Sequence, residues 1–323
     1  RKTVVVTVDP ARRLADALGL DDGAAADEPH RVKGVTKRAT DGELWALMLD
    51  AELTFDRLVR EQSGSRKQAE AVLNNPVYQA ISGSLSGAQE YMAVERLHQL
   101  HVSGDWDLVI VDTPPSRHAI DLLEAPDRLV GFLSHPVYRT LTVGQRTFAK
   151  ITDAASSMFL WAVKRLAGPQ IVEDTVEFFR SLANIEGGLR HRAKQVSELL
   201  RGDDTAFVVV SSPRAEAVGE AEHLLDAIST RKFPLGGLVV NLIHPLPEPL
   251  SDDDDELLDG IEEGPLADQL AWHAELTGLA LAEREELVEL ERLAGDAPII
   301  ELPLLDVDIH DLPGLVDLSA RLV

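Results

Sequence analysis

The chain has no cysteine in 323 residues, and only three methionines and three tyrosines. The absence of cysteine excludes disulfides, thiolate metal sites and a cysteine nucleophile. Basic side chains are scarce too, 31 against 55 acidic ones, for a net charge of −24. Such a surface repels phosphate backbones and anionic headgroups, which argues against general nucleic-acid or membrane-surface binding. It leaves room for an anion in a local pocket, because backbone N–H groups and helix N-termini hold phosphate whatever the overall charge. No apolar run reaches the roughly 18 residues that a membrane span needs, and Arg1-Lys2-Thr3-Val4 opens no apolar stretch of signal-peptide length. The expectation is a cytoplasmic protein with no direct membrane insertion and no nucleic-acid partner.

What is present is a recurring strand signal. Candidates are Thr3–Val8, Leu108–Asp112, Phe207–Ser211, Leu238–Asn241 and Pro298–Leu302, with a weaker one at Leu44–Leu49. Helical pattern lies between them, as in residues 216–228, where Val218, Ala221, Leu225 and Ile228 form one apolar stripe. This alternation predicts an α/β fold with a doubly wound, mostly parallel sheet. Two segments interrupt it. Residues 129–200 carry only helical pattern and read as an inserted helical subdomain. Residues 251–263 read as an acidic linker: DDDDELLDGIEE holds eight acids in twelve residues without the alternating ligands of a calcium loop. A charged amphipathic helix is expected over 265–293. We expect a single domain over 1–323 containing both interruptions.

Two aspartates carry the chemistry. Val4, Val5, Val6 and Val8 suit a strand buried at the centre of a parallel sheet, and Asp9-Pro10 then turns the chain into a helix. Asp9 is either an ordinary N-cap or a catalytic carboxylate at the sheet edge where open α/β folds bind ligands. Leu108-Val109-Ile110-Val111 reads as a second buried strand ending in Asp112, the Walker-B arrangement, in which a carboxylate orients the water shell of a nucleotide-bound Mg²⁺. A second capped strand–helix turn is the alternative. The stiff loop Thr113-Pro114-Pro115-Ser116 follows and enters a helix.

These flanks resemble one family. TVDPARRLADALG is similar to the first switch of the arsenical-pump-driving and tail-anchored-protein-targeting (ArsA-like, anion-transporting) ATPases, and VIVDTPPSRHAIDLLEAP to their second switch. GGLVVNLIHP resembles their strand that ends in an adenine-reading Asn, and PLLDVDIHDLPGL their nucleotide-side C-terminal loop; GAQEYMAVERL is a weaker match to the acidic segment before the second switch. The matches run in family order along nearly the whole chain and look closest to bacterial, actinobacterial members.

The resemblance implies a deviant-Walker P-loop NTPase fold and a dimeric, Mg²⁺-dependent ATPase, a homodimer or a heterodimer with a paralogue, that couples ATP to a protein client or partner. By position, Asp9 orients the attacking water and Asp112 holds Mg²⁺ through water. Pro10, Thr113, Pro114, Pro115, Ser116, Arg117 and His118 form γ-phosphate-sensing switches, and Asn241, Pro303 and Leu304 contact the nucleotide. No Walker-A loop occurs in the sequence. The resemblance puts it one helix before the first switch, so we expect it upstream of Arg1. Arg117 stands where the family pattern has Gly: it crowds γ-phosphate, reaches a phosphate or partner carboxylate, or faces solvent. His118 is a switch residue or a plain helix-start histidine. With the Walker-A gap, Arg117 keeps open an inactive ATPase-like scaffold that pairs with an active paralogue. The lack of cysteine removes thiolate arsenite chemistry. The insertion corresponds to a client-holding region, yet Met48, Met92 and Met158 are the only methionines, so ordinary packing of Met158, Phe159, Leu160, Trp161 and Val163 is favoured over a Met-lined groove.

Overall fold

A computed structural model describes residues 1–8, 17–18, 27–33, 42–76, 78, 88–114, 116–135, 177–178, 181, 183, 185–249 and 263–319. The chain divides into two compact units, Arg1–Leu200 and Arg201–Val323.

In the first unit, β1 (Lys2–Thr7) is the inner strand of a four-stranded sheet. It pairs in parallel with β3 (Glu43–Met48) on one side and β4 (Leu108–Asp112) on the other. The two-residue β2 (His30–Arg31), too short to show a sequence period, adds antiparallel to β3. Val4 and Val6 are fully buried and pack with Leu47 and Leu100, flanked by Trp45, Trp106, Val109 and Val111. At the sheet's amino end the Trp45 and Trp106 rings meet edge to face at 5.6 Å, and Lys2 Nζ lies 4.4 Å from the Trp106 ring centre. The central position expected for the valine strand is observed. The buried position expected for Leu108–Val111 is not: among the described residues β4 is the outer strand, with Leu108 40% and Ile110 44% exposed.

Among the described residues, five helices of defined extent accompany this sheet. α1 (Ala51–Gln62) is capped by Asp50, which accepts the Leu53 N–H, and α2 (Arg66–Leu73) by Ser65, which accepts the Gln68 N–H. α3 (Ala88–Ser103) packs against α1 and against α4 (Ser116–Ser134), while α5 (Glu186–Arg201) ends the unit. Within the expected helical stretch 129–200, the described residues contain helix and no strand; residues 136–176, including 158–163, lie outside the described residues. So do residues 251–262 of the acidic linker.

The second unit holds a parallel three-stranded sheet in the order β5 (Phe207–Ser211), β6 (Leu235–Ile243), β7 (Ile299–Pro303). β5 is an outer strand, so Val208 and Val210 are exposed where a buried strand was read. α6 (Ala215–Thr230) buries the stripe Val218, Ala221, Leu225 and Ile228. α7 (Pro265–Ala294) starts with Pro and stops at Gly295, whose φ of 60° is the left-handed conformation glycine adopts without strain. It packs on α6 and β6; α8 (Leu312–Ser319) follows β7.

Candidate active site

The carboxyl end of the first sheet is built by β1 and β4 running side by side. Their register sets Thr7 opposite Asp112, and the Val8 N–H donates to the Asp112 carbonyl at 3.2 Å. The Thr7 hydroxyl, on a residue only 2% exposed, donates to Asp112 Oδ2 at 3.3 Å. A buried hydroxyl thus fixes one oxygen of an otherwise exposed carboxylate. Val8, which follows β1, lies at the same sheet edge as Asp112. Asp9, Pro10 and Pro115 lie outside the described residues. Sequence reading missed Thr7. Its signal was a single hydroxyl among valines, one turn of the pleat before Asp9.

Thr113 is exposed and Pro114 half-buried. Ser116 opens α4 and Arg117 lies in its first turn. His118 follows, largely exposed, with Nδ1 4.0 Å from Asp121. Asp121 is itself bound by Arg128 at 2.7 Å, so the His118 contact is the looser of the two. α4 is anchored below this turn by Ala119, Leu122, Leu123 and Ala125, all buried. Among the described residues no three His, Asp or Glu side chains cluster to hold a metal. The Asp112 carboxylate is the kind of protein ligand that suits Mg²⁺ kept mostly by phosphate oxygens and water.

In the second unit Asn241, Pro303 and Leu304, the three residues expected on the nucleotide side, come together at the ends of β6 and β7. Asn241 is in register with Leu302 and Ile243 with Pro303, and the Leu304 N–H donates to the Ile243 carbonyl at 2.8 Å. Between them Leu242 takes φ of 65°, left-handed backbone unusual for a branched side chain, and the register shifts there. Asn241 Oδ1 accepts the Leu242 N–H at 3.0 Å, which fixes the carboxamide by its oxygen. Sequence reading also missed Glu283. Its carboxylate takes the His244 N–H at 2.8 Å and His244 Nδ1 at 2.7 Å. Nothing local marks Glu283, one of many acids in α7.

A cleft of about 770 Å³ beside α2, lined by residues such as Asp56, Arg60, Arg66 and Tyr78, contains none of the expected site residues.

The family profile described as anion-transporting ATPase matches residues 1–260. The chain belongs to the anion-transporting ATPase family. Relatives include ATPase GET3C of Arabidopsis thaliana, 26% identical over 97% of this chain and 72% of the relative. ATPase GET3B of the same plant is 24% identical, over 97% and 69%. The ATPase ASNA1 homolog of Dictyostelium discoideum is 22% identical, over 99% and 80%. Membership in this anion-transporting ATPase family gives the chain the P-loop NTPase fold class, seen here as mixed α/β with parallel sheets, and ATP hydrolysis as its enzymatic class. Among the described residues no helix is long and apolar enough to cross a membrane.

Proposed function

We propose that the protein is a Mg²⁺-dependent, dimeric ATPase, cytoplasmic, that couples nucleotide state to a protein client or partner. The observation that supports this reading is the pairing of β1 with β4, which brings Thr7 and Val8, the residues that precede Asp9 in the sequence, beside Asp112, with Thr7 bracing the Asp112 carboxylate. Asp112 would hold Mg²⁺ through water, the ion supplying charge stabilisation for the phosphates. Asp9 orients the attacking water: an ordinary carboxylate is ionised at neutral pH and serves better as an acceptor than as a strong base. Thr113, Pro114, Pro115, Ser116, Arg117 and His118, together with Pro10, form the segment that senses γ-phosphate. Because Thr113 and Pro114 join Asp112 directly to α4, a change at the phosphate pulls on a helix rather than on a free loop. Asn241, Pro303 and Leu304 contact the base side. Two relatives are named ATPase GET3C and ATPase GET3B, which supports a client-coupled role of that family type.

ATP turnover by the full-length protein tests this. Asp9→Asn should lower kcat by about a hundredfold or more with KM little changed, the pattern of an interaction made in the transition state. Unchanged turnover removes Asp9 from the mechanism. A second reading, an inactive ATPase-like scaffold paired with an active paralogue, is favoured by Arg117 at a position where the family pattern has Gly. It predicts no turnover by the unsubstituted protein alone.

A further inference from the structure

The segment that carries Asn241 is held from outside the sheet by one turn of α7. His244 lies three residues beyond Asn241, and three of its polar groups are engaged by that turn. Its N–H donates to Glu283 Oε2 at 2.8 Å, its Nδ1 meets Glu283 Oε1 at 2.7 Å, and its carbonyl accepts from Arg284 Nη1 at 3.3 Å. Glu283 is 11% exposed and holds both contacts with two oxygens of one planar group, a geometry that fixes orientation as well as distance. Arg284 also donates to the Ala280 carbonyl at 2.8 Å and faces Glu301 of β7 at 3.6 Å. The turn is a rigid platform, because Ala280 and Leu287 on either side of it are buried.

The clamp matters because the backbone it ends is strained. Leu242 holds a left-handed φ that a leucine does not adopt unaided, and the β6–β7 register shifts at that point. Asn241 takes its side-chain orientation from the N–H of that same Leu242. The chain between Asn241 and His244 is therefore tied down at its far end by Glu283, and at Ile243 by Leu304.

We propose that Glu283 is a positioning residue for base recognition: through His244 it sets the backbone that aims the Asn241 carboxamide, and so sets the preference for adenine over other bases. This inference rests on the reading of Asn241 as a base contact. Arg284 steadies the same turn, and Glu283 itself does not touch the nucleotide.

Calorimetric titration of the full-length protein with Mg-ATP and Mg-GTP tests it. Glu283→Ala should weaken ATP binding about tenfold while GTP binding stays within about twofold, the scale of one lost orienting hydrogen bond. Glu283→Gln should restore most of the ATP preference, since its oxygen still takes the His244 N–H and its amide can donate to Nδ1 after a tautomer change. A variant that loses affinity for both nucleotides equally, or a Gln that rescues nothing, overturns the proposal. Asn241→Ala separates the two levels. If it abolishes the ATP preference and Glu283→Ala does not, only the positioning role fails. If Asn241→Ala leaves the preference intact, or the unsubstituted protein binds neither nucleotide, the base-contact reading fails with it.

Discussion

Glu95 of α3 is fully buried, yet its carboxylate is surrounded by donors: Gln99 Nε2 at 3.2 Å, the Tyr91 hydroxyl at 3.3 Å and Arg192 Nε at 3.4 Å. Burial outweighs these partners and pushes the carboxyl up to about 7. Its neighbour His98, 3.2 Å from the Arg192 guanidinium, is pushed down to about 4, by burial first and by Arg192 second. The two shifts act oppositely on stability. Glu95 binds more protons folded than unfolded, so its contribution is present at acidic pH and lost as pH rises through about 7. His98 binds fewer, so its contribution is present above its ordinary value and lost as pH falls through about 4. Between pH 5 and pH 8 they nearly offset. Urea denaturation should therefore show Glu95→Gln gaining about 2 kcal/mol of stability over that range relative to the parent, and His98→Gln losing about 2 kcal/mol. Three parallel pH profiles would show that neither group is coupled to folding. Asp27 is another buried acid. It sits at φ 63°, a conformation aspartate tolerates, and binds Arg57 at 2.7 Å, Arg96 at 3.3 Å and the Thr54 hydroxyl at 3.1 Å. Asp27→Ala leaves two guanidinium groups unpaired and should cost about 3–5 kcal/mol in the same measurement.

At the scale of elements, position in the sheet decides what a strand residue is worth. Val6 of β1 is completely buried; Ile110 of β4 is 44% exposed on the outer strand. Val6→Ala should cost about 2 kcal/mol, whereas Ile110→Thr should stay within about 0.5 kcal/mol, both read from denaturation midpoints. Equal losses would contradict the assigned strand order. This contrast also marks how far sequence reading reaches. Apolar, β-branched runs located β1, β4, β5, β6 and β7 to within a few residues, because local composition limits backbone choice. They could not tell an inner strand from an outer one, since Leu108–Val111 and Val4–Val8 are equally apolar and neighbours are chosen by the rest of the chain. His30–Arg31 has too few residues to show any period. Likewise the motif residues Asp112 and Asn241 were legible from their flanks, while Thr7 and Glu283 act through contacts made only after folding.

For the whole molecule, a net charge of −24 sets a repulsive background against which any self-association must work. In the dimer proposed above, bound ATP and Mg²⁺ would have to contribute contacts across the interface to overcome that repulsion. Sedimentation should therefore show dimer in Mg-ATP at moderate salt and a shift toward monomer when nucleotide is removed; a single species under both conditions would oppose nucleotide-coupled assembly. The central claim is narrower, that Asp9 and Asp112 serve one bound nucleotide. A double-mutant cycle on ATP turnover with Asp9→Asn, Asp112→Asn and the pair is its most direct test. Groups that act as a unit are not additive, so the double variant should be about as slow as the slower single one. Losses that multiply, each substitution costing its full factor in the presence of the other, would mean that the two carboxylates work independently.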